Sequence, residues 1–268
     1  MIAIEVLRSI FNWVLPRECA ACRTAFEGIT LFCSDCEREL EKLKSAARCS
    51  LCAMPITLRG APCAQCGGGG LTPFDQIVCL GVMKDPLKTL IHNAKYHGRW
   101  SMAERLADRL AERDDVREML HRADAVVPVP LHRQRQIERG YNQAEVIARR
   151  MCQRIAAGGR SRPRDAESLF RRSASGVKVV HAATRVRPTE TQTRMGSRAK
   201  RVENLREAFQ LVDPARIQDK HVVLVDDVMT TGATLVSLAR TLNKANPRNI
   251  SAIVLAVADP KGRAFEVI

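Results

Sequence analysis

The stretch His221 to Leu235, HVVLVDDVMTTGATL, constrains the fold more than any other part of this 268-residue chain. Val222, Val223, Leu224 and Val225 form an apolar run of the kind that makes a strand buried on both faces, as in a parallel sheet. Asp226 and Asp227 follow where that strand is expected to end. Thr230, Thr231, Gly232, Ala233 and Thr234 then lead into the helical run LVSLARTLNKA. A strand, a turn rich in hydroxyls and glycine, and a helix together aim backbone N–H groups and a helix N-terminus at a phosphate. Gly232 lets the backbone come close to a ligand or adopt positive φ. The two acids would repel that anion, so they are assigned to neutral hydroxyls such as a ribose diol. The bland alternative is an ordinary strand–turn–helix with a capping threonine. It leaves two unpaired carboxylates side by side for no structural gain.

An apolar strand, two acids and Thr-Thr-Gly-x-Thr resemble the 5-phosphoribosyl-1-pyrophosphate (PRPP) motif of type I phosphoribosyltransferases, unbroken from Val222 to Thr234. The resemblance implies that Asp226 and Asp227 hold the ribose hydroxyls. It implies that Thr230, Thr231, Gly232, Ala233 and Thr234 hold the 5′-phosphate, with Mg²⁺ accompanying PRPP.

Eight of the ten cysteines form four C-x-x-C pairs, Cys19/Cys22, Cys33/Cys36, Cys49/Cys52 and Cys63/Cys66, with ten, twelve and ten residues between successive pairs. The symmetry reads as a duplicated unit of two C-x-x-C turns. Two residues between cysteines let both thiolates of a tight turn face one tetrahedral metal, and two such turns complete a four-cysteine zinc site. No small-residue cleavage site precedes the cysteines, so no signal peptide is expected. The implied reducing compartment argues against a disulfide framework. Two structural Zn²⁺ ions are therefore expected. The simplest pairing gives Cys19, Cys22, Cys33 and Cys36 to one ion and Cys49, Cys52, Cys63 and Cys66 to the other; an interleaved pairing fits the spacing as well. Met1 to Leu15 reads as an amphipathic helix and Ser34 to Ala46 as a second one. Gly67 to Gly70 reads as a flexible boundary between units 1–70 and 71–268.

The net charge of +14 points to anionic partners. From Leu131 to Arg206 nineteen Lys and Arg face six Asp and Glu, an excess of +13, so nearly all the imbalance lies in one stretch. No apolar run approaches the roughly twenty residues of a membrane span, so no membrane insertion is expected and the protein is expected to be cytoplasmic.

Beyond the glycines, Phe74 to Met83 reads as a strand, Asp85-Pro86 opens a helix, and Met102 to Arg113 is another. Ala125 to Pro130 is a strand with prolines at its end. Leu131 to Gln143 (LHRQRQIERGYNQ) reads as a loop before a helix over Ala144 to Ala157. The sequence PVPLHRQRQIERGYNQAE, the segment Lys95-Tyr96-His97-Gly98, and Arg185-Val186-Arg187-Pro188-Thr189 with Gln192, Arg201 and Asn204 resemble the late-competence protein F (ComF) family. That family is a branch of the type I phosphoribosyltransferases, and the cysteine ribbons fit it too. Its association with DNA uptake implies single-stranded DNA and the uptake machinery as partners.

Pyrophosphate needs close-approaching cations and N–H groups. Arg133, Arg135 and Arg139 supply guanidinium forks and Gly140 a tight backbone, with Asn142 and Gln143 placed to orient the ligand. Val177 to Val180 is a short strand. His181 to Lys200 lacks apolar periodicity and suits a lid that excludes water, with Arg185, Arg187, Thr189 and Gln192 as its candidate residues. Ile250 to Val257 is a last buried strand. The sum is an α/β fold: a type I phosphoribosyltransferase-like, doubly wound, mostly parallel sheet with its ligand beyond the strands' carboxyl ends, preceded by a small zinc-ribbon unit. The expected chemistry is displacement of pyrophosphate from PRPP by an acceptor, with no general base evident. The rival function is single-stranded DNA binding, for which Trp13, Tyr96, Trp100 and Tyr141 are the stacking candidates.

Overall fold

The structure is a computed structural model that describes residues 17–27, 30–45, 47–56, 62–95, 100–157, 177–187 and 208–258. The expected helix over Met1 to Leu15, the segment 158–176, Tyr96 to Arg99 and the lid positions Thr189 and Gln192 lie outside those residues.

Five strands form one parallel sheet: β3 (Ile77–Val82), β4 (Ala125–Pro128), β5 (Lys178–Val179), β8 (His221–Met229) and β9 (Asn249–Val257), in the order β3-β9-β8-β4-β5. Every pairing in it is parallel. Two antiparallel ribbons stand apart, β1 (Arg17–Glu18) with β2 (Ala25–Phe26) and β6 (Ala183–Arg185) with β7 (Phe209–Leu211). The helices are α1 (Ser34–Ser45), α2 (Leu87–Lys95), α3 (Trp100–Ala111), α4 (Asp114–Arg122), α5 (Arg133–Arg139), α6 (Gln143–Ala156) and α7 (Ala233–Leu242).

Side chains of successive strand residues point to opposite faces, and that alternation sorts the core into two layers. Val78, Leu80, Val126, Val223, Val225, Ile253 and Leu255 face the layer built by α2, α3, α4 and α6. Ile77, Cys79, Ala125, Val127, Val222, Leu224, Ala252 and Val254 face α7 and the β6–β7 ribbon. Both faces are covered, which explains why the strands read as continuous apolar runs. Arg150 and Arg154 of α6 meet Asp108 of α3, tying together the two helices that shield the first face.

The cysteine-bearing segment straddles the edge strand. Cys19, Cys36, Phe32 and Leu40 pack into the first layer, and Cys49, Cys52 and Cys63 into the second. The Ile77 N–H donates to the Leu51 carbonyl at 2.9 Å, and the Arg48 guanidinium donates to the carbonyls of Cys79 and Leu43. Arg109 of α3 pairs with Glu37 and Glu41 of α1, and Asn93 donates to the Ala20 carbonyl at 3.1 Å. The exposed side of β3 is thereby capped, which removes an open edge.

Several boundaries differ from the sequence reading. Helix α5 lies inside the stretch expected to be a loop. None of its residues is buried, so it carries no apolar stripe to betray it. The glycine run is a hydrogen-bonded turn: Gly67 N–H donates to the Cys63 carbonyl at 2.7 Å and Gly69 N–H to the Cys66 carbonyl at 3.0 Å. The foot of the expected lid is ordered, because β6 pairs with β7 through Ala183–Leu211, Thr184–Gln210 and Arg185–Phe209.

Candidate functional site

Two four-cysteine clusters are assembled sequentially, Cys19, Cys22, Cys33 and Cys36 in one and Cys49, Cys52, Cys63 and Cys66 in the other. This removes the interleaved alternative. Within each group the sulfurs lie within 4.8 Å of one another. Cys22 and Cys33 are 3.7 Å apart, Cys49 and Cys66 3.7 Å, and Cys52 and Cys63 3.6 Å. Four thiolates about 2.3 Å from a central Zn²⁺ in tetrahedral array are about 3.8 Å apart along each edge, so both clusters fit the ion. Closed four-sulfur sites leave no coordination position for substrate, so their part is structural.

The second site lies at the sheet's carboxyl edge. The order of the strands reverses between β8 and β4, which opens the crevice where doubly wound sheets hold ligands. β4 pairs with β8 only as far as Pro128–Val225, whereas β9 stays paired with β8 through Met229. Asp226 and Asp227 therefore do not end the strand. They stay on β8, in the stretch where it pairs with β9 and no longer with β4.

Asp226 accepts from the Asp227 N–H at 2.9 Å. Lys95, at the end of α2, meets Asp227 with Nζ to Oδ2 at 3.0 Å. Burial, then the charge of Asp227, pushes the Asp226 carboxyl up to about 7, against the opposing pull of the Asp227 N–H, Lys95 and Arg185. Burial likewise lowers the Arg185 guanidinium, with Asp226 opposing and Arg135 reinforcing. Arg185 stacks over the Phe209 ring at 5.6 Å, which fixes it at the foot of the ribbon. Tyr141 donates its hydroxyl to the Ala94 carbonyl. Burial raises its phenol, opposed by Gln143 and the nearby Arg139.

The turn after β8 has the geometry of an anion cradle. Gly232 caps α7 at φ +76° and ψ 0°, in the left-handed region. Thr231 Oγ1 accepts from the Ala233 N–H at 3.4 Å. The other N–H groups of the first turn of α7 have no carbonyl within the helix to serve.

Lys95 and Arg185 act on the acid pair Asp226 and Asp227, Arg135 lies near Arg185, and Arg139 and Asp227 both lie near Tyr141. Arg133 is exposed on the outer start of α5, and Gly140 ends that helix at φ +76°. Arg187 is exposed beyond β6. Of Asn142 and Gln143, expected to orient ligand, Asn142 is committed to the scaffold, accepting from the Ala144 N–H and donating to the Val129 carbonyl, whereas Gln143 accepts from Arg139 at 3.0 Å and holds its buried Nε2 without a hydrogen-bond partner. Tyr141 is half-buried and tied down, so it is no free stacking platform; Trp100 is 39% exposed. Lys95 is the residue that sequence reasoning left unassigned. Its only signal was the Lys-Tyr-His-Gly segment, far from the acids along the chain.

The DNA utilization protein YhgH of Escherichia coli O6:H1 is 31% identical over 237 residues, covering 85% of this chain and 91% of the relative. The competence protein F of Haemophilus influenzae is 31% identical over 230 residues, covering 84% and 90%. The chain belongs to the competence protein F family. The ComF-type sequence also carries two recognisable parts, a double zinc ribbon domain over residues 10–67 and a phosphoribosyl transferase domain over residues 155–267. Among solved structures, the purine phosphoribosyltransferase from Pyrococcus horikoshii Ot3 is similar at 18% identity and a TM-score of 0.28, covering 63% of this chain and 93% of that one. This ComF-family chain is thus a competence-related, phosphoribosyltransferase-like protein with a double zinc ribbon. Among the described residues no helix is long and apolar enough to cross a membrane.

Proposed function

We propose that this chain binds PRPP in the β8/β4 crevice and transfers its ribosyl group to an acceptor while supporting DNA uptake in the cytoplasm. Asp226 and Asp227 hold the ribose hydroxyls, and Thr230, Thr231, Gly232, Ala233 and Thr234 hold the 5′-phosphate. Arg135 and Arg139, with Arg133 and Gly140 behind them, face the pyrophosphate. Arg185, Arg187, Thr189 and Gln192 belong to the lid. The observation that carries the reading is a pair of enclosed acids, flanked by Lys95 and Arg185, immediately before a left-handed glycine at a helix N-terminus.

In the transfer, an acceptor nucleophile forms a bond to the anomeric carbon as the bond to pyrophosphate breaks, and the leaving group departs with its electron pair. The chain's own contribution is positioning and charge: arginines meet the negative charge developing on pyrophosphate, and the acids hold the ring. The carboxylate oxygens of Asp226 and Asp227 suit a hard divalent cation. Asp226 and Asp227 would hold a Mg²⁺ ion arriving with PRPP, which would supply neutralisation of phosphate charge. Two units, 1–70 and 71–268, are part of the same proposal, the first bracing the second.

The relatives' names, competence protein F and DNA utilization protein, support a second use of the same molecule in single-stranded DNA binding. Helix α5 favours it, presenting Arg133 beside Ile137, which is 73% exposed. Paired isotherms separate the two. Asp226→Ala with Asp227→Ala is expected to abolish binding of PRPP with Mg²⁺ and to spare single-stranded DNA. Loss of both in a folded variant contradicts separate sites, and a wild-type chain that ignores millimolar PRPP contradicts the proposal.

A further inference from the structure

The second cysteine cluster and the phosphate turn belong to one hydrophobic layer. Cys49, Cys52 and Cys63 are buried in it with Met229, Leu235 and Leu238, and Leu51, Cys66, Leu71, Ala233 and Val236 pack against its edge. The route between them is short. The glycine turn is tied to the cluster's backbone: the Gly67 N–H donates to the Cys63 carbonyl at 2.7 Å and the Gly69 N–H to the Cys66 carbonyl at 3.0 Å. Gly70, at φ +71°, lies over Leu51, whose Cβ is 3.5 Å from the point a Gly70 Cβ would occupy. The next residue, Leu71, is held by a bond from the Phe74 N–H to its carbonyl at 2.8 Å. Its side chain ends on the phosphate turn: Leu71 Cδ2 lies 2.5 Å from where a Cβ at Gly232 would stand. Gly232 is therefore fixed by two demands, the left-handed backbone and the methyl group lying against it.

We infer that Leu71 is a positioning residue for the 5′-phosphate cradle, and that the second zinc cluster acts on the PRPP site through it. With the cluster metal-bound, the glycine turn is wound around Cys66 and Leu71 is pressed onto Gly232, so the turn is held with its N–H groups convergent. With the sulfurs unligated the turn loses its anchor, Leu71 withdraws, and the cradle must be ordered by the ligand itself. Order that the ligand has to create is subtracted from its affinity. The first cluster packs on the opposite face of the sheet and has no such route. The inference rests on the reading of residues 230–234 as the phosphate site.

The test uses the full zinc-loaded chain and three calorimetric probes: PRPP with Mg²⁺, ribose 5-phosphate, and inorganic pyrophosphate with Mg²⁺. Leu71→Ala is expected to weaken PRPP and ribose 5-phosphate by about tenfold, a common size for coupling between sites. It should leave pyrophosphate binding and zinc content unchanged, and Leu71→Met should restore the loss. Amide exchange gives an independent readout: Gly232 to Leu235 should exchange faster in Leu71→Ala, while Val223 and Val225 in the strand do not. Cys66→Ser should reproduce the selective loss. Equal weakening of all three probes, no weakening of any, or unchanged exchange at Gly232 overturns the inference. A wild-type chain that binds none of the probes overturns the PRPP reading, and this inference falls with it before any variant is made.

Discussion

Asp226→Asn should make the ligand-free protein more stable while removing its grip on ribose. The Asp226 carboxyl is enclosed and lies beside Asp227, so it is pushed from 3.8 up to about 7. The folded state therefore binds a proton that the unfolded chain has already released across that interval. Stability from this group is fully present below the unfolded value and is lost as pH rises through the folded one. A shift of about three units at about 1.4 kcal/mol each sets a ceiling of about 4 kcal/mol. Water still reaches part of the residue, so about 2 kcal/mol is the more realistic gain. Asparagine fills the same space without ionising. Its advantage over the wild type should be near zero below about pH 4, grow through neutrality and level off above about pH 7. Urea denaturation of both proteins across that range reads it, and the difference between them cancels the zinc release that acid causes in each. An advantage that is flat with pH, or a variant less stable at pH 8, would refute the argument that this acid is held in an unfavourable state for the sake of a ligand.

Two other outcomes follow from the same geometry. Lys95→Met leaves the charge of Asp227 unpaired at a mostly buried site, a loss of about 3 kcal/mol at pH 8. It also raises Asp226 further, so the pH at which PRPP binding sets in should move upward; an unmoved profile would show that Lys95 does not govern the pair. Metal analysis of the purified chain should return two zinc ions, and Cys52→Ser should lower both the zinc content and the melting temperature. One zinc in the wild type would contradict two closed sites.

The strand, acid pair and glycine turn were legible because local chemistry dictates each of them, and the cysteine spacing announced two metal sites. What was hidden depends on neighbours. β8 runs past its acids because β9 stays beside it after β4 leaves, and no feature of Val222 to Asp227 reports the length of a partner strand. Helix α5 has no buried face, so no apolar periodicity marks it. Helix α4, DDVREMLHR, buries only Val116, Met119 and Leu120, too few to stand out from its charges. Four glycines read as slack chain by composition, yet the carbonyls of Cys63 and Cys66 hold them in a turn. Lys95 joins the site because α2 packs against the sheet, and Leu71 matters because it lands on Gly232. Both are facts of packing that no spacing rule records.

The most direct measurement is a crystal of the zinc-loaded chain grown with PRPP and Mg²⁺. The account predicts the ribose hydroxyls against Asp226 and Asp227, the 5′-phosphate at the start of α7 and pyrophosphate toward Arg135 and Arg139. Density for PRPP elsewhere, or no ligand density beside Asp226 and Asp227 at millimolar ligand, would contradict it.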